Sequence, residues 1–248
     1  MFKDHFSKKS SLYKEARPTY PKALFEYLAL LTKAHDLAWD CATGNGQAAV
    51  MLANYYKKVV ATDASEEQIK QAVSKCNIDY RVSLAENSGL LDKTADLITV
   101  AQAFHWFCFE DFFKETKRVL KQNGFLAIWC YELLTTASPN LNQLIGTFYQ
   151  DIVGPYWPKE RRHIENRYQD IQFPFEKLET PEFFIEPNWT LQELLNYFSS
   201  WSSTQYYQKD LNKDPIESWL KPRLLQHGSL DEKFKITIPI YLLVGKSF

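Results

Sequence analysis

The amino-acid sequence predicts an α/β fold in which a doubly wound, mostly parallel sheet is followed by a helical, aromatic-rich insertion. Short apolar runs alternate with stretches of helical spacing over residues 1–130, which is typical of parallel strands covered by helices. Over residues 131–232 this alternation is lost, while prolines and aromatic residues recur. The chain is 45% hydrophobic and 15% aromatic, which is enough for a core of ordinary size.

We expect a ligand-binding core formed by residues 1–130 and 233–248, with residues 131–232 inserted as a lid. The aromatic content of the insertion is too high for a disordered linker. A long apolar strand closes the chain, and Pro239 within it predicts a sheet edge or a bulge because proline lacks a backbone N–H. Helical stretches within the lid are expected near residues 140–153, 190–200 and 215–227.

The first strand and the turn after it organise the core. Residues 22–33 have helical spacing, and the apolar residues 37–39 then run into Asp40 as a predicted strand. Gly44 and Gly46 follow, before an alanine-rich helix. Because glycine has no Cβ, this turn can adopt positive φ and a ligand can lie directly against its backbone. We expect a small polar ligand there.

The next two strands also end in residues that suit a ligand. The second strand, residues 59–63, carries Asp63 at its tip, where folds of this kind bind ribose hydroxyls. Ser65 is the predicted N-cap of the helix that follows. The third strand, residues 78–84, runs into the turn that contains Ala85 and Glu86.

The fourth strand, residues 96–101, is almost continuously apolar. Such a run is typical of a strand covered on both faces and predicts a central position in the sheet. An amphipathic helix over residues 110–120 is expected to stop at Asn123-Gly124. A fifth strand follows at residues 125–129.

These strands are predicted to be parallel, so their carboxyl ends meet at one edge of the sheet. Ligands bind at that edge in doubly wound folds. Two acids and a glycine turn therefore converge on one site. The residues expected there are Asp40, Gly44, Asp63, Ala85, Glu86, Gln102 and His105.

Charge and composition favour a small-molecule partner. The formal net charge is -1, which supplies no broad cationic field for nucleic acid or an acidic membrane. The first nine residues contain no apolar signal core, and no apolar span is long enough for a bilayer, so we expect a cytoplasmic protein. The four cysteines lack the Cys or His spacing of a zinc site, and no metal is expected.

The glycine turn leaves two cofactor classes open. Residues 44–49 match Gly-x-Gly-x-x-Ala, with an acid some twenty residues on, which also suits a nicotinamide dinucleotide. Asp40, however, stands at the end of the strand just before the turn. A buried carboxylate at that point favours a ligand that carries its own ammonium group, as S-adenosylmethionine does and NAD does not.

An ordered set of motifs along nearly the whole chain resembles the class I S-adenosylmethionine-dependent methyltransferases. The resemblance is to the type 11 small-molecule group, which includes trans-aconitate methyltransferase-like proteins, and it implies a Rossmann-like sheet of seven strands. The motifs are Tyr13-x-x-x-Arg17-Pro18-x-Tyr20-Pro21, Asp40-x-x-x-Gly44-x-Gly46, Asp63, Ala85-Glu86, residues 101–107, Ser200-Trp201-Ser202 and residues 237–245.

The resemblance implies where S-adenosylmethionine binds. Gly44 and its neighbours would line the methionine part, Asp40 would lie near the ammonium group, and Asp63 would accept hydrogen bonds from both ribose hydroxyls. The backbone of Ala85, with Glu86, would edge the adenine. The other cofactor contacts expected are Tyr13 and Arg17 at the carboxylate end, with Asn45, Gly46, Ala64 and Gln102.

The acceptor side leaves alternatives open. His105 is a candidate general base for a hydroxyl or amine acceptor, or else a packing residue between Phe104 and Trp106. A carboxylate acceptor would need an arginine instead. Arg161 and Arg162 are candidates, although their cluster is also typical of a solvated helix face. The residues expected to contact the acceptor are His105, Trp106, Trp157, Arg162, Trp201 and Tyr206.

Three functions follow from these observations. The first is methyl transfer from S-adenosylmethionine to a small molecule, which the resemblance implies. The second is nicotinamide-dependent oxidation or reduction, which the Gly-x-Gly-x-x-Ala pattern also allows. The third is binding of S-adenosylmethionine without catalysis, with the aromatic lid acting on another protein. We expect the methyltransferase.

Overall fold

The structure is a computed structural model that describes residues 18–248. Within that range the chain forms ten strands, which belong to one sheet. They are β1 (Leu37–Cys41), β2 (Lys58–Asp63), β3 (Ile78–Val82), β4 (Ala95–Ala101), β5 (Leu120–Tyr131), β6 (Thr135–Thr136), β7 (Glu176–Leu178), β8 (Phe183–Ile185), β9 (Asn188–Thr190) and β10 (Lys233–Lys246).

One α-helix precedes β1, one follows each of β1, β2 and β4, and the other α-helices lie in the insertion. The Thr190 side chain and Glu193 form a capping box at the start of one insertion helix, which fixes its first turn. The α-helices are α1 (Lys22–Leu31), α2 (Gln47–Leu52), α3 (Glu66–Lys70), α4 (Phe109–Val119), α5 (Pro139–Thr147), α6 (Arg161–Glu165), α7 (Leu191–Ser199), α8 (Ser202–Leu211) and α9 (Lys221–Leu224). Single turns of 3-10 helix at Phe104–Trp106 and Gly154–Tyr156, and π-helical turns at Phe148–Ile152 and Ile216–Leu220, complete the helical segments of residues 18–248.

The doubly wound, mostly parallel sheet is confirmed. The main strand order is β3-β2-β1-β4-β5-β10-β6, so β4 is the central strand, as its apolar run predicts, and β1 beside it is parallel to both β2 and β4. Asp40 is in register with Ala61 of β2 and Thr99 of β4. The carboxyl ends of these three strands therefore lie side by side, as the sequence predicts.

The strand count differs from the expected seven: the core contributes six strands, and the insertion adds the two-residue β6 and three further short strands. These strands, β7, β8 and β9, pair antiparallel with β10, which pairs with β5 through its carboxyl half. The insertion is therefore not wholly helical. Each of the three strands is only three residues long, too short to give a periodic pattern in the sequence.

Pro239 is not at the edge of the sheet, contrary to one of the two expectations. It is in register with Phe184 of β8, and its carbonyl accepts a hydrogen bond from Glu132 N at 2.9 Å. On the other side of β10, pairing with β6 includes Thr237 and pairing with β5 begins at Ile240. Proline therefore lies where the pairing of β10 passes from β6 to β5, and there it contributes its carbonyl alone.

The predicted helix stop at Asn123-Gly124 is wrong. Helix α4 ends at Val119, and the chain enters β5 directly at Leu120. Asn123 has φ of 61° and lies inside β5, close to a register shift between β4 and β5. An Asn-Gly pair suits an irregular strand as well as a helix end, because both need a residue that tolerates positive φ.

The sheet separates two apolar layers. Neighbouring residues of β1 point to opposite faces, so Ala38 packs in one layer and Trp39 in the other. The layer that contains Ala38 also takes in α1, α2 and the aromatic residues of the insertion. The insertion thus shares its core with the strands that carry the site.

Candidate active site

A cavity of about 1000 Å³ lies beyond the carboxyl ends of β1, β2 and β4. We call it the main cavity. Its size suits a ligand of several rings. Of the residues predicted from the sequence, those that line it are Gly44, Asn45, Asp63, Ala64, Ala85, Glu86, Gln102, Trp106 and Tyr206.

The turn after β1 has the backbone that its glycines predict. Gly44 has φ of 58° and Gly46 has φ of 88°. The space around the Cα of Gly44 is open, whereas a Cβ on Gly46 would collide with the Tyr80 hydroxyl. Gly46 does not line the main cavity; it lets the start of α2 pack closely against β3.

Asp63 joins the tip of β2 to the turn after β1. Its Oδ2 accepts a hydrogen bond from Gly44 N at 2.8 Å, and its Oδ1 accepts one from Ser65 N at 2.8 Å. A carboxylate oxygen can accept more than one hydrogen bond. Asp63 is therefore held in place on the wall of the main cavity.

Asp40 lies behind the cavity wall and is fully buried. Thr43 Oγ1 donates to its Oδ2 at 2.5 Å, and Thr99 Oγ1 donates to its Oδ1 at 2.7 Å. Burial raises the pKa of Asp40 to about 6, although hydrogen bonds from Thr43, Thr99 and the Ala49 backbone oppose that shift. Asp40 does not line the main cavity, so its influence on a ligand there is electrostatic.

The loop after β3 carries Ala85 and Glu86 and is tied to α4. Glu86 Oε1 accepts a hydrogen bond from Cys108 N at 2.9 Å. Nearby, Glu115 accepts hydrogen bonds from both the N–H and the hydroxyl of Ser88. The position of Glu86 is therefore set by residues of a different element.

The sequence did not predict two residues of the main-cavity wall, nor the residue that holds the loop after β3 in place. Ser65 and Gln68 line the main cavity, although the sequence indicated only a helix cap at this place. Glu115 has the spacing of an ordinary helical ion pair with Arg118, and nothing in the sequence links it to Ser88. The sequence does not show that the loop after β3 lies next to α4 in the fold.

Gln102, the residue that follows β4, has a strained backbone conformation. Its φ is 59°, which is unusual for a residue with a side chain and is often found at functional sites. Its Nε2 is buried and has no hydrogen-bond partner within residues 18–248. Gln102 lines both the main cavity and a second, smaller one.

The second cavity, which we call the inner cavity, has a volume of about 60 Å³ and adjoins the main cavity. The residues common to both walls are Gln102, Trp106, Tyr131 and Pro158. The inner cavity is mostly aromatic, and Arg161 also lines it. Three predicted acceptor residues lie on its wall: His105, Trp157 and Trp201.

His105 faces the inner cavity and not the main cavity. It is buried, and its Nδ1 lies 3.5 Å from the Tyr168 hydroxyl. Burial lowers the pKa of His105 to about 3, and the nearby Arg161 and His163 act in the same direction. At neutral pH its ring is therefore uncharged.

Arg162 does not line either of these cavities. It lies in an outer cleft of about 500 Å³, together with Trp157 and Lys159. Arg161, the preceding residue in the chain, lines both that cleft and the inner cavity.

The other two residues predicted to hold the cofactor, Tyr13 and Arg17, lie outside the described residues.

The charge of the main cavity suits a cationic ligand. Among the described residues, Asp63, Glu86 and Glu160 line it, with Lys159 as the one cation. A sulfonium and an ammonium group would both be favoured by this excess of carboxylates. Together with the glycine turn and the position of Asp63 at the tip of β2, this charge fits S-adenosylmethionine.

Two other features, a metal-binding cluster and a membrane-spanning helix, are absent from the described residues 18–248. No group of three or more His, Cys, Asp or Glu side chains in that range could hold a metal ion. No helix there is both long enough and apolar enough to cross a membrane.

Comparisons with known proteins identify the family of this chain. A family model described as a methyltransferase domain matches residues 39–128. A Dictyostelium discoideum protein named as a methyltransferase is 36% identical over 99% of this chain and 95% of its own length. A solved structure from Anaeromyxobacter dehalogenans, assigned as a type II methyltransferase, is 33% identical with a TM-score of 0.86 over 93% of this chain and 97% of its own.

A more distant solved structure, from Bacillus halodurans, shares the fold alone, with 20% identity and a TM-score of 0.51 over 91% of this chain and 97% of its own. The similarity to the first two relatives covers nearly the whole chain, well beyond the glycine turn. The chain therefore belongs to the class I S-adenosylmethionine-dependent methyltransferases.

Proposed function

We propose that this enzyme methylates a small molecule that enters the inner cavity. The observation that carries this proposal is the contact between the two cavities, which share Gln102, Trp106, Tyr131 and Pro158. One cavity suits the cofactor and the other has five Trp and Tyr side chains on its wall, so their common wall is where cofactor and acceptor would meet.

The residues of the main cavity would bind the cofactor. Gly44 and Asn45 would lie against its methionine part, Asp63 would accept hydrogen bonds from its ribose, and Ala85 and Glu86 would edge its adenine. When bound, S-adenosylmethionine supplies a methyl group on a positively charged sulfur, and an acceptor lone pair bonds to that carbon as the carbon–sulfur bond breaks and leaves its electrons on sulfur. The protein aligns the acceptor and excludes water.

A carboxylic acid is the acceptor class that this site favours. A hydroxyl or amine acceptor needs a base, and a His105 pKa of about 3 makes this residue a weak one. An ionised carboxylate needs no base. The proposal agrees with the resemblance to the trans-aconitate methyltransferase-like group.

Residues 131–232 would act as the lid over this site. Tyr156, Pro158, Lys159, Glu160 and Tyr206 from this segment all line the main cavity. The net charge of -1 disfavours nucleic acid as the acceptor, and a cytoplasmic location stays an expectation.

Calorimetric titration with S-adenosylhomocysteine, using NADH as the comparison ligand, tests the cofactor. We expect saturable binding of S-adenosylhomocysteine that is lost in Asp63→Ala and retained in Asp79→Ala, since Asp79 is an acid of β3 outside the main cavity. Transfer of a tritiated methyl group to small carboxylic acids then tests the reaction. Folded protein that gives no heat with S-adenosylhomocysteine, or transfer that is unaltered by Asp63→Ala, would refute the assigned site.

A further inference from the structure

Arg161 is a cation that lacks an ion-pair partner among residues 18–248. Its Nε donates to the Tyr149 hydroxyl at 3.1 Å, and that hydroxyl donates to Glu165 at 2.8 Å. The guanidinium lies over the Trp157 ring, 4.5 Å from its centroid. The stacking and the Tyr149 hydroxyl fix its position and leave its two terminal nitrogens available to a ligand.

The inner cavity contains no carboxylate that could serve Arg161. The one acid on its wall, among the described residues, is Glu132. Glu132 is already paired with Arg167, whose Nε donates to it at 2.6 Å. Arg161 reaches Glu165 only through the Tyr149 hydroxyl. A partly buried guanidinium without a direct ion pair costs free energy, and an anionic ligand would reduce that cost.

Two N–H donors on the same wall also lack partners. Gln102 Nε2 and Trp157 Nε1 are buried, and neither has a hydrogen-bond acceptor within the described part of the chain. Unsatisfied buried donors are rare in native proteins and call for an explanation. A guanidinium and two neutral N–H groups together match the oxygens of a carboxylate.

The size and charge of the two cavities limit the rest of the ligand. The inner cavity, at about 60 Å³, offers roughly four to six times the space that a single water needs. It can hold a carboxylate and a few carbon atoms. The remainder must extend into the main cavity, where three carboxylates face a single lysine among the described residues. A second carboxylate on the acceptor would be repelled there.

We propose that Arg161, Trp157 and Gln102 form the carboxylate-binding end of the acceptor site, and that the acceptor is an acid with one carboxylate on an apolar body. This inference rests on the proposed function and sharpens it, because it separates the acceptor from tricarboxylates such as trans-aconitate. Methylation of the bound carboxylate uses one of its lone pairs, releases no proton and gives a neutral ester. The ester has lost the charge that holds the acid to Arg161, so it is bound more weakly than the acid.

The test is calorimetric titration of acids into protein saturated with S-adenosylhomocysteine. The monocarboxylates are phenylacetate, trans-cinnamate and octanoate, and the comparison ligands are phenylacetamide and trans-aconitate. The variants are Arg161→Gln, Arg161→Lys and the matched control Arg162→Gln, which changes the adjacent arginine in the outer cleft. The affinity of each variant for S-adenosylhomocysteine reports whether its fold and cofactor site are intact.

We expect at least one monocarboxylate to bind, with its Kd raised about tenfold or more by Arg161→Gln, raised less by Arg161→Lys, and unchanged by Arg162→Gln. Phenylacetamide and trans-aconitate should bind more weakly than the monocarboxylate in the wild-type protein. If Arg161→Gln disrupts folding, the lysine variant and the wild-type comparison of ligands decide the question.

Three results would overturn the inference while leaving the proposed function intact. They are equal losses in Arg161→Gln and Arg162→Gln, tighter binding of trans-aconitate than of every monocarboxylate, and no binding of any monocarboxylate to protein that does bind S-adenosylhomocysteine. Failure to bind S-adenosylhomocysteine would instead refute the proposed function itself.

Discussion

The carboxylate of Asp63 accepts a hydrogen bond from the backbone N–H of Gly44 at 2.8 Å, so one side chain joins two neighbouring strand ends. Its other oxygen takes the N–H of Ser65, where α3 begins. The residue proposed to hold the ribose thus also fixes the turn proposed to hold the methionine part. Loss of its charge should affect both binding and stability.

Asp63→Asn tests this double role. The amide retains one acceptor oxygen but turns its NH₂ group toward a backbone N–H. We expect the Kd for S-adenosylhomocysteine to rise at least about tenfold and the free energy of unfolding to fall by about 1–2 kcal/mol. Calorimetry and urea denaturation measure the two effects. Asp79→Asn is the control, and similar Kd values for the two variants would contradict the assignment.

Gly46→Ala should destabilise the protein more than Gly89→Ala does. Both glycines have positive φ, and an alanine in that region costs about 1–2 kcal/mol. At Gly89 a Cβ would enter open space, whereas at Gly46 it would also collide with the Tyr80 hydroxyl. Thermal and urea unfolding of the two variants measures the difference. Equal destabilisation would show that the contact with Tyr80 imposes no constraint.

Ionisation of the buried Asp40 carboxyl should lower the free energy of unfolding as pH rises from about 4 to about 6. Its folded pKa of about 6 exceeds the ordinary value of about 3.9. In that window the folded protein keeps a proton that the unfolded chain has released, so this group destabilises the fold by up to about 3 kcal/mol above pH 6. In Asp40→Asn this pH-dependent loss of stability should be absent. Urea denaturation at several pH values measures the difference between wild type and variant, and a constant difference would exclude this linkage.

Glu115→Gln should loosen the loop that carries Ala85 and Glu86. Burial alone would raise the pKa of Glu115, but hydrogen bonds from Arg118 and Ser88 outweigh it and place the pKa below its usual range. The charge therefore stabilises the protein above the ordinary pKa of glutamate, and this contribution is lost as pH falls through the lower folded pKa. At pH 7 we expect a loss of about 1–3 kcal/mol and weaker binding of S-adenosylhomocysteine.

The matched control for this variant is Glu110→Gln, which changes an exposed acid in the first turn of the same helix. It should leave the unfolding free energy and the Kd nearly unchanged. Amide hydrogen exchange over residues 83–90 gives a direct measurement of the loop. Unchanged exchange in Glu115→Gln would mean that Ser88 does not depend on this carboxylate.

His105→Gln should lower kcat by less than about tenfold and leave the pH profile between 5 and 8 unaltered. The reason is that a group with a pKa of about 3 stays neutral throughout this range. A general base would give a loss of about 10²–10⁴ and would remove a pKa from the profile. Rates with the acid identified by the binding experiment, measured across this pH range, distinguish the two roles.

The sequence predicted the parallel core because most of its strands are apolar runs next to a helical pattern; β3, with Asp79 and Arg81, is the exception. It also predicted that the residues after these strands lie at one edge, since the residue that follows a parallel strand must lie there. The segments β7, β8 and β9 escaped prediction because three residues have no readable period, and their strand geometry comes from pairing with β10.

The division of the site into two cavities could not be predicted from the sequence. Arg161 and Arg162 are adjacent and chemically identical, and the fold alone brings Arg161 to the inner cavity while Arg162 stays in the outer cleft. The same is true of Gln102, whose unpaired amide is visible only when every neighbouring acceptor has been located. Asp40 and Gly46 were expected to contact the cofactor, but the structure places both behind the wall of the main cavity.

Strand β10 follows every other strand in the chain, yet it pairs with β5 and with all of the short strands β6 to β9. The paired residues of β5 and β10 are more than a hundred residues apart in the sequence. Closing a loop of that length costs conformational entropy, so this pairing is expected late in folding. On the ribosome, the strands that carry the glycine turn emerge long before β10 is synthesised. Strands β1 to β5 can therefore begin to fold first, and the partly made protein would hold its glycine turn and strand tips while the pairing with β10 is still absent.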